Sequence, residues 1–95
     1  MAAYAIADIQ ITDPIKFEEY RAQVETTIAK FNGRYLVRGG SPEKIEGDWN
    51  PTRIVVLEFP TLDLAKKWYH SESYRGPKEI RWQSADSNVI FATGV

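Results

Sequence analysis

Two runs in this sequence, Ile54-Val55-Val56-Leu57 and Val89-Ile90-Phe91-Ala92, are apolar at every position, and they constrain the fold more than any other feature. A strand sends successive side chains to opposite faces, so a run without alternation belongs to a sheet that is covered on both sides. The chain has 95 residues, 43% of them hydrophobic. That is enough for one domain over residues 1–95 with one core, and it leaves no third layer for the second face. A second copy of the same sheet is the simplest cover, so the pattern predicts a two-fold homodimer.

The rest of the chain supplies the elements around those runs. Residues 3 to 11 lack helical spacing and read as a first strand, with Tyr4, Ile6, Asp8 and Gln10 on one face. Asp13-Pro14 starts a helix, with Asp as N-cap and Pro at the first helical position. Phe17, Tyr20, Val24, Ile28 and Phe31 form its apolar stripe, and Asn32-Gly33 stops it. Arg34 to Arg38 reads as a short second strand ended by Gly39-Gly40, residues 41 to 51 as a loop, and Arg53 to Phe59 as the third strand. Thr61 caps a short helix over 62 to 70 with Leu64, Ala65, Trp68 and Tyr69 inward. Ser71 or Ser73 caps another over about 73 to 85, in which Pro77 is acceptable near the first turn, and Asn88 to Thr93 is the last strand. The order β-α-β-β-α-β, with an extra helical piece before the last strand, is the split βαβ arrangement. It predicts an α+β, ferredoxin-like fold: an antiparallel four-stranded sheet with its helices on one face.

Composition removes several classes of function. Lys and Arg number 12 against 13 Asp and Glu, a net charge of −1, which offers no field for a phosphate backbone or an anionic membrane. Neither nucleic acid nor membrane is therefore an expected partner. With no cysteine and one histidine, His70, there is no disulfide, no thiolate nucleophile and almost no donor for a zinc-type site. No metal and no cofactor are expected. The first residues lack a basic region and Asp8 interrupts their apolar stretch, which reads as neither a signal peptide nor a membrane span and predicts a cytoplasmic location.

Charged and aromatic residues inside or beside the strands point to a polar pocket, because ionised groups in a sheet interior are costly unless paired or facing a wet cavity. Arg38, Arg53 and Arg81 can together hold a carboxylate or phosphate, or each can pair internally with Glu58, Asp8 or Glu46. Arg53 and Glu58 lie five apart on one strand, so they leave opposite faces unless the strand bulges. Glu58 is the best carboxylate for general-base work, whereas a neighbouring arginine would make it a salt-bridged strut. Trp49, Trp68, Tyr69 and Tyr74 can wall a flat apolar ligand, with tyrosine hydroxyls orienting it. Trp68 also reads as core, and Trp49, in a Gly/Pro-bounded loop, either plugs a pocket mouth or packs across the dimer. Ser71 and Ser73 beside His70 lack an orienting acid and read as helix caps. Gly39-Gly40 lacks a phosphate-loop lysine and reads as a strand end or bulge.

Taken in order, Arg38-Gly39-Gly40, Glu46-Gly47, Trp49, Pro51, Arg53, Glu58-Phe59-Pro60, Ala65, Trp68-Tyr69, Ser71, Tyr74 and Arg81 span essentially the whole chain. This string resembles the domain of unknown function 1330 family. The resemblance implies a dimeric α/β barrel, in which two ferredoxin-like subunits put their sheets together. Related families on that barrel include cofactor-independent monooxygenases, haem-degrading enzymes, isomerases and lyases, and stress-responsive barrels, so the fold alone assigns no activity.

The function read from the chain is that of a small homodimer binding a compact anionic or carbonyl-bearing organic ligand in a sheet–helix cleft. Arg38, Trp49, Arg53, Trp68, Tyr74 and Arg81 are its candidate ligand-binding residues. Glu58 and Tyr69 are candidate proton-transfer residues for cofactor-free acid/base chemistry. A non-catalytic dimer whose polar residues serve the interface is the rival reading, and haem binding through His70 a remote third.

Overall fold

The computed structural model describes Met1–Val95. Its elements are β1 (Ala3–Ile11), α1 (Pro14–Ala29), β2 (Arg34–Gly40), β3 (Ile54–Phe59), α2 (Leu62–Tyr69), α3 (Glu72–Ser84) and β4 (Ala85–Thr93). The strands form one antiparallel sheet in the order β2-β3-β1-β4. This is the ferredoxin-like α+β arrangement, with the extra helical piece placed as α3.

Local chemistry sets the boundaries. The Asp13 carboxylate accepts the Lys16 N–H at 3.1 Å and so caps α1, while Pro14 starts the helix where no intrahelical donor is needed. Thr61 caps α2 through the Leu64 N–H, and Ser71 caps α3 through the Tyr74 N–H, each at 3.2 Å. The stop after α1 divides two tasks between two residues. Asn32 takes the left-handed conformation, at φ 61°. Gly33 is there for space, since a Cβ would come within 2.5 Å of the Phe59 ring. The last strand begins at Ala85, three residues before the expected Asn88, because β1 runs on to Ile11 and gives Ala85 a ladder partner.

One face of the sheet carries the core. Ala3, Ala5, Ala7 and Ile9 of β1 and Val55, Leu57 and Phe59 of β3 lie buried beneath the helices. The small alanines leave room for large rings above them: Trp68 packs 4.2 Å from Tyr74 and 5.4 Å from Phe59, measured between centroids. Each such ring contributes about 1.5–3 kcal/mol by leaving water. From α1 come Phe17, Tyr20, Val24 and Ile28, as the stripe predicts, together with Thr27. The Thr27 hydroxyl receives the Trp68 indole N–H at 3.0 Å.

The opposite face has no helix over it. A row of directly paired apolar residues, Val37–Val56–Ile6–Ile90, crosses all four strands there, and Ile90 is 59% exposed. The register thus turns the two-sided apolar runs into one uncovered stripe.

Candidate functional site

Strand β2 would place Tyr35 and Arg38 on opposite faces if it alternated regularly, because they are three apart. It does not alternate regularly. The register on β3 slips between Tyr35 and Val37 and again between Arg38 and Gly40, so that Tyr35 faces Leu57 and Arg38 faces Val55. The first slip brings both side chains to the helix side, where the Arg38 guanidinium lies 3.9 Å from the Tyr35 ring centroid. The second leaves Gly39 at φ 68°, with the Arg53 guanidinium lying over it. A Cβ at Gly39 would stand 2.5 Å from that group.

These residues line a cavity of about 140 Å³ between α1 and the sheet. Cavities on the order of 150 Å³ take up a benzene-sized molecule, so there is room for a compact organic ligand. The floor is Ile9, Val55 and Leu57, the α1 wall includes Phe17 and Tyr20, and Arg21, Arg38 and Arg53 supply positive charge against the single carboxylate of Glu25. Two of the three arginines are neutralised locally: Arg38 pairs with Glu25 at 2.7 Å and Arg21 with Glu18 at 2.9 Å. Arg53 has no carboxylate within ion-pair distance and no side-chain hydrogen bond; its guanidinium lies 5.6 Å from the Phe17 ring centroid, and that of Arg21 lies 5.3 Å from the same ring. Burial first, and the Arg21 charge second, pull Arg53 below the usual arginine range.

A second, inner space of about 30 Å³ shares Ile9, Tyr20, Val55 and Leu57 with the first. It has room for about one water. Trp68, Tyr69, Tyr74 and Arg81 come together around it. The Tyr74 hydroxyl lies 2.8 Å from that of Tyr20 and accepts from Arg81 Nε at 3.3 Å, and Arg81 also donates to Ser87 Oγ. Burial works against the Arg81 charge, but the Tyr74 and Tyr20 oxygens more than offset it and hold the guanidinium above its usual range. Burial above all, with Tyr74 alongside, raises the Tyr20 phenol well above the ordinary tyrosine value.

The eight candidate residues therefore separate. Arg38 and Arg53 meet at the larger cavity, and Trp68, Tyr69, Tyr74 and Arg81 meet at the inner space. Trp49 and Glu58 stand on the opposite face of the sheet. Trp49 donates its indole N–H to Asp8 at 3.1 Å and is otherwise largely exposed. Glu58 was a candidate base, but it leaves β3 on the side away from both cavities and is held by Arg34 at 2.7 Å, which makes it a strut. His70 is exposed at the end of α2, outside both cavities. Ser71 and Ser73 hydrogen-bond each other, and Ser71 works as a cap. No three histidine or carboxylate side chains are grouped so that they could hold a metal ion.

Sequence reasoning missed Tyr20, Arg21 and Tyr35 as site residues. Tyr20 was read as stripe, and its hydroxyl has no sequence mark of its own. Arg21, one residue beyond it on α1, and Tyr35, three before Arg38, become meaningful only once α1 and the bulge are in place.

Solved structures share this fold across nearly the whole chain. A protein of unknown function from Rhodopseudomonas palustris matches at TM-score 0.79 with 14% identity, over 99% of this chain and 82% of that one. A dimeric ferredoxin-like protein of unknown function from Jannaschia sp. CCS1 matches at 0.73 with 9% identity, over 99% and 100%. SnoaB, a cofactor-independent oxygenase from Streptomyces nogalater, matches at 0.68 with 12% identity, over 99% and 93%. No curated protein matches the chain. The family model described as Domain of unknown function (DUF1330) matches residues 2–95, and the chain belongs to that family.

Proposed function

We propose that the protein is a homodimer that binds a compact anionic or carbonyl-bearing organic ligand in the cleft between α1 and the sheet. The observation that carries this reading is Arg53. A half-buried guanidinium with no carboxylate partner, set beside a ligand-sized cavity, is a site for an external anion, which it can hold through two charge-assisted hydrogen bonds. Arg38 and Arg21 add to the local field, while Phe17 and Tyr35 offer apolar walls to the ligand's body. SnoaB is a cofactor-independent oxygenase on the same fold, which supports chemistry without a bound cofactor only by analogy.

Dimerisation is supported by the uncovered row Val37–Val56–Ile6–Ile90 and by the dimeric neighbour from Jannaschia. In this arrangement the Arg34–Glu58 pair and the Asp8–Trp49 contact lie against the partner sheet, so the polar residues of that face serve the interface rather than the ligand.

Calorimetric titration with pentanoate tests the anion site. Wild type is expected to bind, and Arg53→Met to lose at least about tenfold in affinity, the worth of a charge-assisted contact. Equal affinity in the two proteins sinks the reading. Native mass spectrometry of the 10.9 kDa chain reads the dimer directly.

A further inference from the structure

Resting on that anion site, we propose that the ligand is an oxo acid whose carbonyl oxygen, lying inward of the carboxylate, accepts a hydrogen bond from the Tyr20 hydroxyl. The argument follows the protons of a buried chain. Arg81, 3% exposed, is a donor only, and its Nε–H is given to the Tyr74 oxygen. Tyr74, 2% exposed, then has one proton to place, and the single acceptor beside it is Tyr20 at 2.8 Å. Were Tyr20 the donor instead, the Tyr74 proton would have no protein acceptor and would depend on a water in the inner space. Arg81 therefore favours one direction along the chain, Arg81 to Tyr74 and Tyr74 to Tyr20.

The Tyr20 proton is left over. Its hydroxyl has no other protein partner, its side chain is 8% exposed, and it lines both the arginine-bearing cavity and the inner space. Burial keeps the phenol protonated across the physiological range, so it offers a donor and never an anion. A ligand anchored at Arg53 meets that donor at the inner end of the cavity, and the neutral group that satisfies it is a carbonyl oxygen. A plain aliphatic acid would leave it unpaired.

The test compares pentanoate, 2-oxopentanoate and 4-oxopentanoate by calorimetry on wild type and Tyr20→Phe. One of the oxo acids is expected to bind wild type about tenfold more tightly than pentanoate, the worth of one hydrogen bond to a buried donor. Tyr20→Phe is expected to abolish that preference, so that the oxo acid and pentanoate bind the variant equally well. If pentanoate binds and neither oxo acid is preferred, the Tyr20 proton is satisfied by water and this inference falls while the anion site stands. If none of the three acids binds, both fall. Should Tyr20→Phe not fold, wild type labelled at tyrosine Cζ decides by carbon NMR. The Tyr20 resonance is expected to move with an oxo acid and not with pentanoate, and equal responses overturn the proposal.

Discussion

The two faces of the sheet carry similar residues and use them in opposite ways. Towards the helices, charge is concentrated and incompletely paired: Arg53 stands free at a cavity and Arg81 is sunk in a chain of hydroxyls. On the far side every charge near the sheet centre has its partner. Glu58 is bonded to Arg34, and the Asp8 carboxylate accepts from both Trp49 and the Thr52 N–H. Arg53 and Glu58 belong to the same short stretch of chain, yet the alternation of the strand gives one to a site and the other to a surface. Charged residues within strands thus identify a pocket only after the face is known and the partners are counted.

Three substitutions would break or sharpen this contrast. Phe59, fully buried on the helix side, is expected to cost about 3–5 kcal/mol when cut to alanine, read by denaturant unfolding. Ile90→Lys on the open face should leave the subunit folded and weaken the proposed dimer by about 2 kcal/mol or more, seen as monomer in sedimentation at micromolar concentration. If both variants instead lose stability equally as monomers, the open face is a second core and the contrast fails. Smallest is Glu58→Gln, one residue from Phe59, expected to change the stability of the isolated subunit by less than about 1 kcal/mol because its Arg34 partner is well exposed there. A larger loss, above about 2 kcal/mol, confined to the proposed dimer would show the pair sealed at the interface, where breaking it strands a charge, whereas the same small change in both states would place it at the interface rim.

Much of the architecture was legible because it rests on short-range rules. Asp13-Pro14, Thr61 and Ser71 do what their side chains and positions require, and the opposition of Arg53 and Glu58 follows from strand alternation alone. The candidate site was less legible because it depends on pairings far apart in the chain. Tyr20 meets Tyr74 across 54 positions, and within an apolar stripe its hydroxyl looks like any other core tyrosine. Tyr35 and Arg38 share a face only through a bulge whose position belongs to the β2–β3 register. Glu58 was ambiguous between base and strut, and Arg34, which decides the matter, sits on the neighbouring strand.

The bulges in β2 also bear on how this sheet meets other chains. The order β2-β3-β1-β4 leaves β2 and β4 as edges, each with a row of backbone donors and acceptors open to an incoming strand. Interrupted twice and carrying Arg34 and Arg38, β2 makes a poor template for such growth. The nine residues of β4 pair with β1 without a single slip. Strand addition, whether in an ordered assembly or in aggregation, is therefore directed to β4, and the irregularity that shapes the cavity also blunts the other edge of the sheet.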